Sequence, residues 1–467
     1  MPHEIDLITT LVAALGLALV LGLAAVRLGL PPLLGYLAAG IAIGPATPGF
    51  VADIGLAQQL AEIGVILLMF GVGLHFSVSD LLRVRRIAVP GAMVQIAVAT
   101  ALGAGVARAW DWDLGAALVF GLALSVASTV VLLRALEARG VLDSVNGRIA
   151  VGWLVVEDLV MVFVLVLLPA LALALQAGSA DSGSTALGAV GLTLAKVAAF
   201  IALMLLVGRR LLPRVLLWVT RTGSRELFTL CVIAVALVVA FGAASLFGVS
   251  FALGAFFAGM MLRESPYSAR AADESLPLRD AFAVLFFVSV GMLFDPRVLV
   301  DEPLRVLAVV AIVMIGKTLA AIALVLAFRY PLNTALTVGV SLAQIGEFSF
   351  ILAALGLSLG LLPAQAQSLI VAGALVSIAA NSASFRAIAP LQAWLQARSA
   401  LARRLEARPD PLASLPASVP SEALTGHVLL VGYGRVGQRI FKTLRGRGER
   451  VVVAERQRAR VEDLRHA

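Results

Sequence analysis

Residues 67–76 read LLMFGVGLHF and residues 285–294 read LFFVSVGMLF, so both keep a Val-Gly pair and a final Phe at an offset of 218 positions. A second pair comes before them in the same order. Residues 34–40 (LGYLAAG) match residues 253–259 (LGAFFAG) at an offset of 219. Two matches in one order at nearly one spacing point to an internal repeat rather than to chance likeness between apolar segments. Around them, apolar runs recur along nearly the whole chain. Each is long enough to cross hydrocarbon about 30 Å thick at 1.5 Å per residue.

The boundaries of these runs predict thirteen spans, at about 5–26, 32–49, 56–76, 87–108, 114–137, 148–176, 188–208, 224–247, 249–263, 276–294, 303–328, 332–357 and 363–390. The composition excludes an ordinary soluble domain: 61% of residues are hydrophobic and 14% charged, against about 25% charged in soluble proteins. Mean hydropathy is +1.00. The first run is preceded by Glu4 and Asp6 and lacks a small-residue cleavage site, so it reads as a span rather than a removable signal. The net charge of +8 calls for no nucleic acid, because the arginines sit in alternate short loops. One set of loops carries Arg83, Arg85, Arg86, Arg209, Arg210 and Arg214, and the other mainly Asp53, Asp111, Asp113 and Asp295. That asymmetry predicts a multi-pass protein of a cell membrane with the N-terminus outside and the C-terminus in the cytoplasm, and a bacterial inner membrane is the expected location. The matched segments lie seven spans apart. Because seven is odd, the second copy enters the membrane upside down. The expected fold is therefore all-α and polytopic, with inverted six-helix repeats at about 5–176 and 224–390 and a linker helix at 188–208. Such repeats place substrate near the midplane, where broken helices of the two halves meet.

Charges inside hydrocarbon cost about 2.5–3.5 kcal/mol each even on permissive scales, so every intramembrane ionisable residue is a candidate site. The candidates are Glu62, Glu157, Asp158, Lys196, Lys317 and Glu347, with His75 near a span end. Glu157 and Asp158 stand out as adjacent carboxylates within an apolar run. Helix neighbours point about 100° apart, so one can face a cavity while the other faces a packed helix. A carboxylate withdrawn from water can hold a proton or a hard monovalent cation, and that competition is the core of antiport. Asp158 is the expected cation ligand. A structural ion pair with Lys317 is the plainer alternative. The repeat offset maps Ser128 and Thr129 onto Gly346 and Glu347, in stretches that also hold Ser125, Ser341 and Gln344. Polar residues at matched depth suit paired broken helices, whose freed backbone and hydroxyls would join Asp158 around an ion. Ser128, Thr129, Gln344, Glu347 and Lys317 thus complete the candidate set. Glu62, Lys196 and His75 are not expected to be ligands. The single cysteine, Cys231, excludes a disulfide within one chain.

Beyond residue 390 the composition turns polar and rich in arginine and proline, which reads as a linker over 391–425. A soluble pattern follows at 426–467. A short apolar strand at 427–431 leads into Gly432, Gly434 and Gly437 spaced as GxGxxG at a helix start, and a second strand ends at Glu455. Glycines in that register let phosphates approach a helix N-terminus, and the acid can bond a ribose hydroxyl. The ligand class implied is NAD(H) or an adenine nucleotide. Two strands cannot cover both faces of such a sheet, so this piece reads as an incomplete domain that binds nucleotide poorly in this chain.

Taken together, several stretches resemble the Kef-like branch of the monovalent cation:proton antiporter-2 family, in its YbaL-type group. They are 61–74 (AEIGVILLMFGVGL), 127–136 (ASTVVLLRAL), 152–162 (GWLVVEDLVMV), 285–292 (LFFVSVGM), 341–353 (SLAQIGEFSFILA) and 431–437 (VGYGRVG). The resemblance implies a homodimer of the NhaA/NapA type, with a scaffold domain and a mobile core containing two crossing broken helices. It implies alternating access without a required cofactor, transport rather than catalysis, and a cytoplasmic regulatory domain of the RCK N-terminal type. Asp158 matches the family's essential carboxylate. Glu157 stands where potassium-efflux members carry Gln and is nearer the paired carboxylates of sodium antiporters, so potassium, the favoured cation, and sodium both stay open. Glutathione gating is not expected, since much of the family's acidic loop is absent from residues 263–280. A nucleotide-gated cation channel is the alternative class, but no TVGYG-like filter is present.

Overall fold

A computed structural model describes residues 3–48, 50–75, 78–137, 139–142, 144–176, 183–263, 265–408 and 426–455. The chain runs through α1 (His3–Arg27), α2 (Pro32–Ile43), α3 (Ile54–His75), α4 (Val78–Ala109), α5 (Leu114–Ser125), α6 (Thr129–Glu137) and α7 (Val145–Gln176). Next, α8 (Gly183–Leu203) passes through a π-helical turn, Met204–Gly208, into α9 (Arg209–Arg221). After α10 (Arg225–Phe247), α11 (Phe251–Arg263), α12 (Ser268–Met292) and α13 (Val298–Asp301), α14 (Pro303–Ala311) is joined to α15 (Lys317–Ala327) by a second π-helical turn, Ile312–Gly316. The helices α16 (Leu332–Ser341), α17 (Glu347–Ser358), α18 (Ala364–Arg398) and α19 (Ala400–Glu406) follow.

Among the described residues, nine helical stretches are long and apolar enough to cross a membrane, accompanied by three shorter apolar helices, α2, α11 and α17. The outer faces of α1 and α10 present large apolar side chains, including Ile8, Val12, Leu19, Leu230, Val238 and Phe241. Hydrocarbon tolerates that surface. Several element bounds differ from the hydropathy reading, among them the start of α12 at Ser268 rather than 276 and the end of α2 at Ile43 rather than 49. α4 begins at Val78 rather than 87, because the Arg-rich run VSDLLRVRR is helical although not apolar. α18 continues past 390 to Arg398, through Pro390.

The matched segments pack in matched ways. α2 lies against α12, and α3 lies against α11. Added to Gly40, a Cβ would meet the Val288 carbonyl, the Gly291 Cα and the Met292 nitrogen. At Gly259 it would meet the Phe70 carbonyl, the Leu74 nitrogen and the Gly73 carbonyl carbon. Shifted by the repeat offset, one set of neighbours becomes the other. Glycine is needed at both places because the helix backbones touch there. The two halves therefore interlock through one pair of contacts used twice.

A second group of helices builds around α4, which packs on α5, α7 and α15, while α18 packs on α14, α16 and α17. Between the groups stand α18 on α2, α11 on α7, and an edge-on contact of Phe287 with Phe350. The C-terminal piece has two parallel strands, β1 (Val428–Val431) and β2 (Val451–Ala454), with Val428 opposite Val451 and α20 (Arg435–Gly446) between them in the chain. The His75 side chain, residues 409–425 of the expected linker and residues 456–467 lie outside the described residues.

Candidate functional site

Two hydropathy runs that look continuous are each interrupted. The chain leaves the helix after Ser125 at the end of α5 and re-enters it at Thr129. Val126 is extended, at φ −97° and ψ 137°. The second break separates Ser341 from Glu347, and Gly346 is again extended, at φ −106° and ψ 175°. The breaks cross so closely that a Cβ on Gly346 would collide with the Ala127 carbonyl.

A broken helix inside a membrane must find new partners for its freed backbone groups. Here they are supplied across the crossing. Gly346 N–H donates to the Val126 carbonyl at 3.2 Å. Gln344 Nε2 donates to the Ser128 carbonyl at 3.1 Å, and Lys317 Nζ donates to the Gln344 carbonyl at 3.2 Å. Ala127 N–H donates to Glu157 Oε2 at 3.0 Å, and Ile345 N–H donates to Ser377 Oγ at 3.3 Å.

The two adjacent carboxylates of α7 meet different surroundings. Glu157, fully buried, has both oxygens engaged: Oε2 by Ala127 and Oε1 by Gln95 Nε2 at 2.5 Å. Asp158 accepts from Thr129 Oγ1 at 3.0 Å through Oδ2, while its buried Oδ1 has no hydrogen-bond partner among the described residues. The buried Gln344 Oε1 is likewise without one. Ser128 Oγ lies 3.3 Å from Glu347 Oε2, so the neighbouring residues Ser128 and Thr129 hold Glu347 and Asp158. Through Thr129 the Asp158 carboxylate meets the start of α6, and Glu347 is the first residue of α17; helix dipoles favour negative charge at both. All four ionisable groups are 5% exposed or less. Three carboxylates face one ammonium, so the cluster needs further positive charge, as protons or as a bound cation.

The structure thus brings together Asp158, Glu157, Ser128, Thr129, Gln344, Glu347 and Lys317. Glu62 and Lys196 are exposed and lie apart from this cluster. Sequence reasoning missed Gln95 and Ser377. Both are neutral, and nothing in the sequence ties either to a distant N–H or carboxylate. A lone Gln within the apolar stretch of α4 was the available signal. In the C-terminal piece, Gly432 has φ +91°, and a Cβ on Gly437 would collide with the Gly432 carbonyl. The Tyr433 N–H in that turn donates to Glu455 Oε2 at 2.5 Å. Glu455 therefore stands beside the Gly432–Gly434 turn.

Comparison with known proteins adds four findings. The transmembrane sodium/hydrogen exchanger family model matches residues 12–389. A protein of Escherichia coli K12 named as a cation/proton antiporter, YbaL, is 55% identical over 466 residues, covering 100% of this chain and 82% of that protein. K(+) efflux antiporter 4 of Arabidopsis thaliana is 32% identical over 387 residues, 82% of this chain and 64% of that one. Among solved structures, the sodium proton antiporter MjNhaP1 from Methanocaldococcus jannaschii aligns with a TM-score of 0.55 at 14% identity, over 84% of this chain and 99% of that one. At that identity the likeness is one of fold.

Proposed function

From membership of the sodium/hydrogen exchanger family, to which this chain belongs, we propose that the protein is a secondary monovalent cation:proton antiporter that exchanges potassium by alternating access. The observation carrying this reading is the buried, unpartnered Oδ1 of Asp158 beside Glu347, with the site's one ammonium engaged elsewhere. Proton and cation compete for Asp158. Thr129, Ser128, Gln344 and Glu347 offer the remaining oxygens that a hard cation takes in exchange for water. Glu157 contributes charge and braces the crossing, and Lys317 offsets it.

Thirteen crossings in two inverted repeats, an N-terminus outside and a homodimer complete the reading. The group around α2, α3, α11 and α12 serves as scaffold, and the group around α4, α7 and α18 moves. A nucleotide held by Gly432, Gly434, Gly437 and Glu455 regulates transport from the cytoplasm. The names of the potassium-efflux relatives support potassium. The extra carboxylate at Glu157 favours the second reading, sodium in the same site, because a denser negative field suits the smaller ion.

The test is cation-driven proton movement in proteoliposomes across the alkali series. Asp158→Asn is expected to abolish exchange with every cation while the protein stays folded. Exchange retained in that variant would end the assignment of the site.

A further inference from the structure

The α15–α16 hairpin carries Lys317 at its start and leads into Gln344 just past its end, where the two meet at 3.2 Å. Its turn lies about 16 Å away, the length of eleven helical residues. Arg329 in that turn has φ +66°, a conformation disfavoured for a side chain. The turn closes the end of α15 by itself, the N–H groups of Phe328, Tyr330 and Arg329 donating to the carbonyls of Leu324, Val325 and Leu326. α16 starts after Pro331, which makes no side-chain cap, and its first turn contains no acid.

The segment at α19 reaches both ends, filling that of α16 and adding a second donor at that of α15. Glu406 Oε2 accepts from the Asn333 backbone N–H at 2.9 Å, so a carboxylate sits at the positive end of α16. Two residues on, an Arg408 guanidinium nitrogen donates to the Leu326 carbonyl at 2.8 Å, at the negative end of α15. Each charge meets the dipole sign it complements. The contact is packed as well as charged. Ala402 is buried against Leu332 and Leu336. The Asn333 side chain donates to Gln392 of α18, and its oxygen accepts from Asn146 of α7.

We propose that Glu406 and Arg408 are positioning residues for the ion site. They fix the turn of the α15–α16 hairpin, and the two rigid helices transmit that position to Lys317 and Gln344 at the crossing. The proposal rests on the reading of the crossing as the exchange site. The clamp lies on the chain immediately before residue 409, on the way to β1 and the glycine-rich turn. A pull on that chain loosens two helix ends together, and both lead to the site.

The full chain is compared with Glu406→Gln, Arg408→Gln and the exchanged pair Glu406→Arg with Arg408→Glu. Cation-dependent proton movement is measured in proteoliposomes, and hydrogen–deuterium exchange over residues 332–347 on the same preparations. Each single variant is expected to raise the apparent KM for the cation about five-fold, with kcat little changed. The exchanged pair is expected to be worse than either single variant despite its unchanged net charge. Deuterium uptake at 332–347 is expected to quicken in all three. With a transporting wild type, an unchanged KM overturns the proposal, even if the melting temperature falls. If the wild type moves no cation, the exchange reading fails on its own, and deuterium uptake decides: faster uptake supports the clamp, unchanged uptake overturns it.

Discussion

The two crossings of the chain solve one problem with different chemistry. In the first half, the freed N–H of Ala127 is taken by Glu157 of α7. In the second half, the freed N–H of Ile345, 218 positions on, is taken by Ser377 of α18. A buried carboxylate stands in one copy and a hydroxyl in the other. The helix packed alongside differs too. α4 offers the neutral Gln95, while α15 offers Lys317 one turn past the matching position. Asp158 has an apolar counterpart at the same offset, Val376, which is 40% exposed. By contrast, the interlock at Gly40 and Gly259 is the same in both halves. The repeat is kept where backbones touch. It is abandoned where charge is needed.

Several substitutions would break or sharpen this contrast. The largest effect is expected from Glu157→Ala, which strips Gln95 of its partner and leaves the Ala127 N–H bare. A loss of about 3–5 kcal/mol is expected from leaving two buried donors unpaired, read as the fall in melting temperature in detergent. A stable variant would mean that the carboxylate does not brace the crossing. Next come Gly40→Val and Gly259→Val, each expected to cost about 3 kcal/mol by forcing the touching backbones apart. The two losses should be alike, and one tolerated with the other ruinous would deny the matched interlock. Ser377→Ala should cost only about 1–2 kcal/mol, the cost of one buried N–H left unpaired. A loss as large as that of Glu157→Ala would erase the contrast. The smallest effect is expected from Thr129→Val. The fold should stay intact while the apparent cation affinity falls about ten-fold, the equivalent of about 1.4 kcal/mol. An unchanged affinity would remove Thr129 from the site.

Much of this was legible in the sequence. The LGYLAAG and LGAFFAG stretches disclosed the repeat because close helix contact needs small residues, and those survive while the apolar residues around them drift. The carboxylates of α7 were conspicuous because charge is costly in hydrocarbon. The breaks were harder to see, since 114–137 reads as one apolar run. Only Ser128 and Thr129, at the depth of Gly346 and Glu347, hinted at them. Gln95 and Ser377 went unseen because a neutral side chain becomes a partner only once a distant N–H or carboxylate is placed beside it. The contacts of Glu406 and Arg408 were out of reach for a related reason. They bond backbone atoms more than seventy residues away, and backbone atoms leave no residue type to read.

The account turns on the different duties of two adjacent carboxylates, and cation-induced proton release from the purified protein measures that difference. Potassium or sodium is added to weakly buffered wild type, Glu157→Gln and Asp158→Asn, and the protons released are counted. The account predicts release from wild type, release retained in Glu157→Gln, where a side chain with one acceptor oxygen still braces Ala127, and none from Asp158→Asn. Release that survives in Asp158→Asn and vanishes in Glu157→Gln would contradict it.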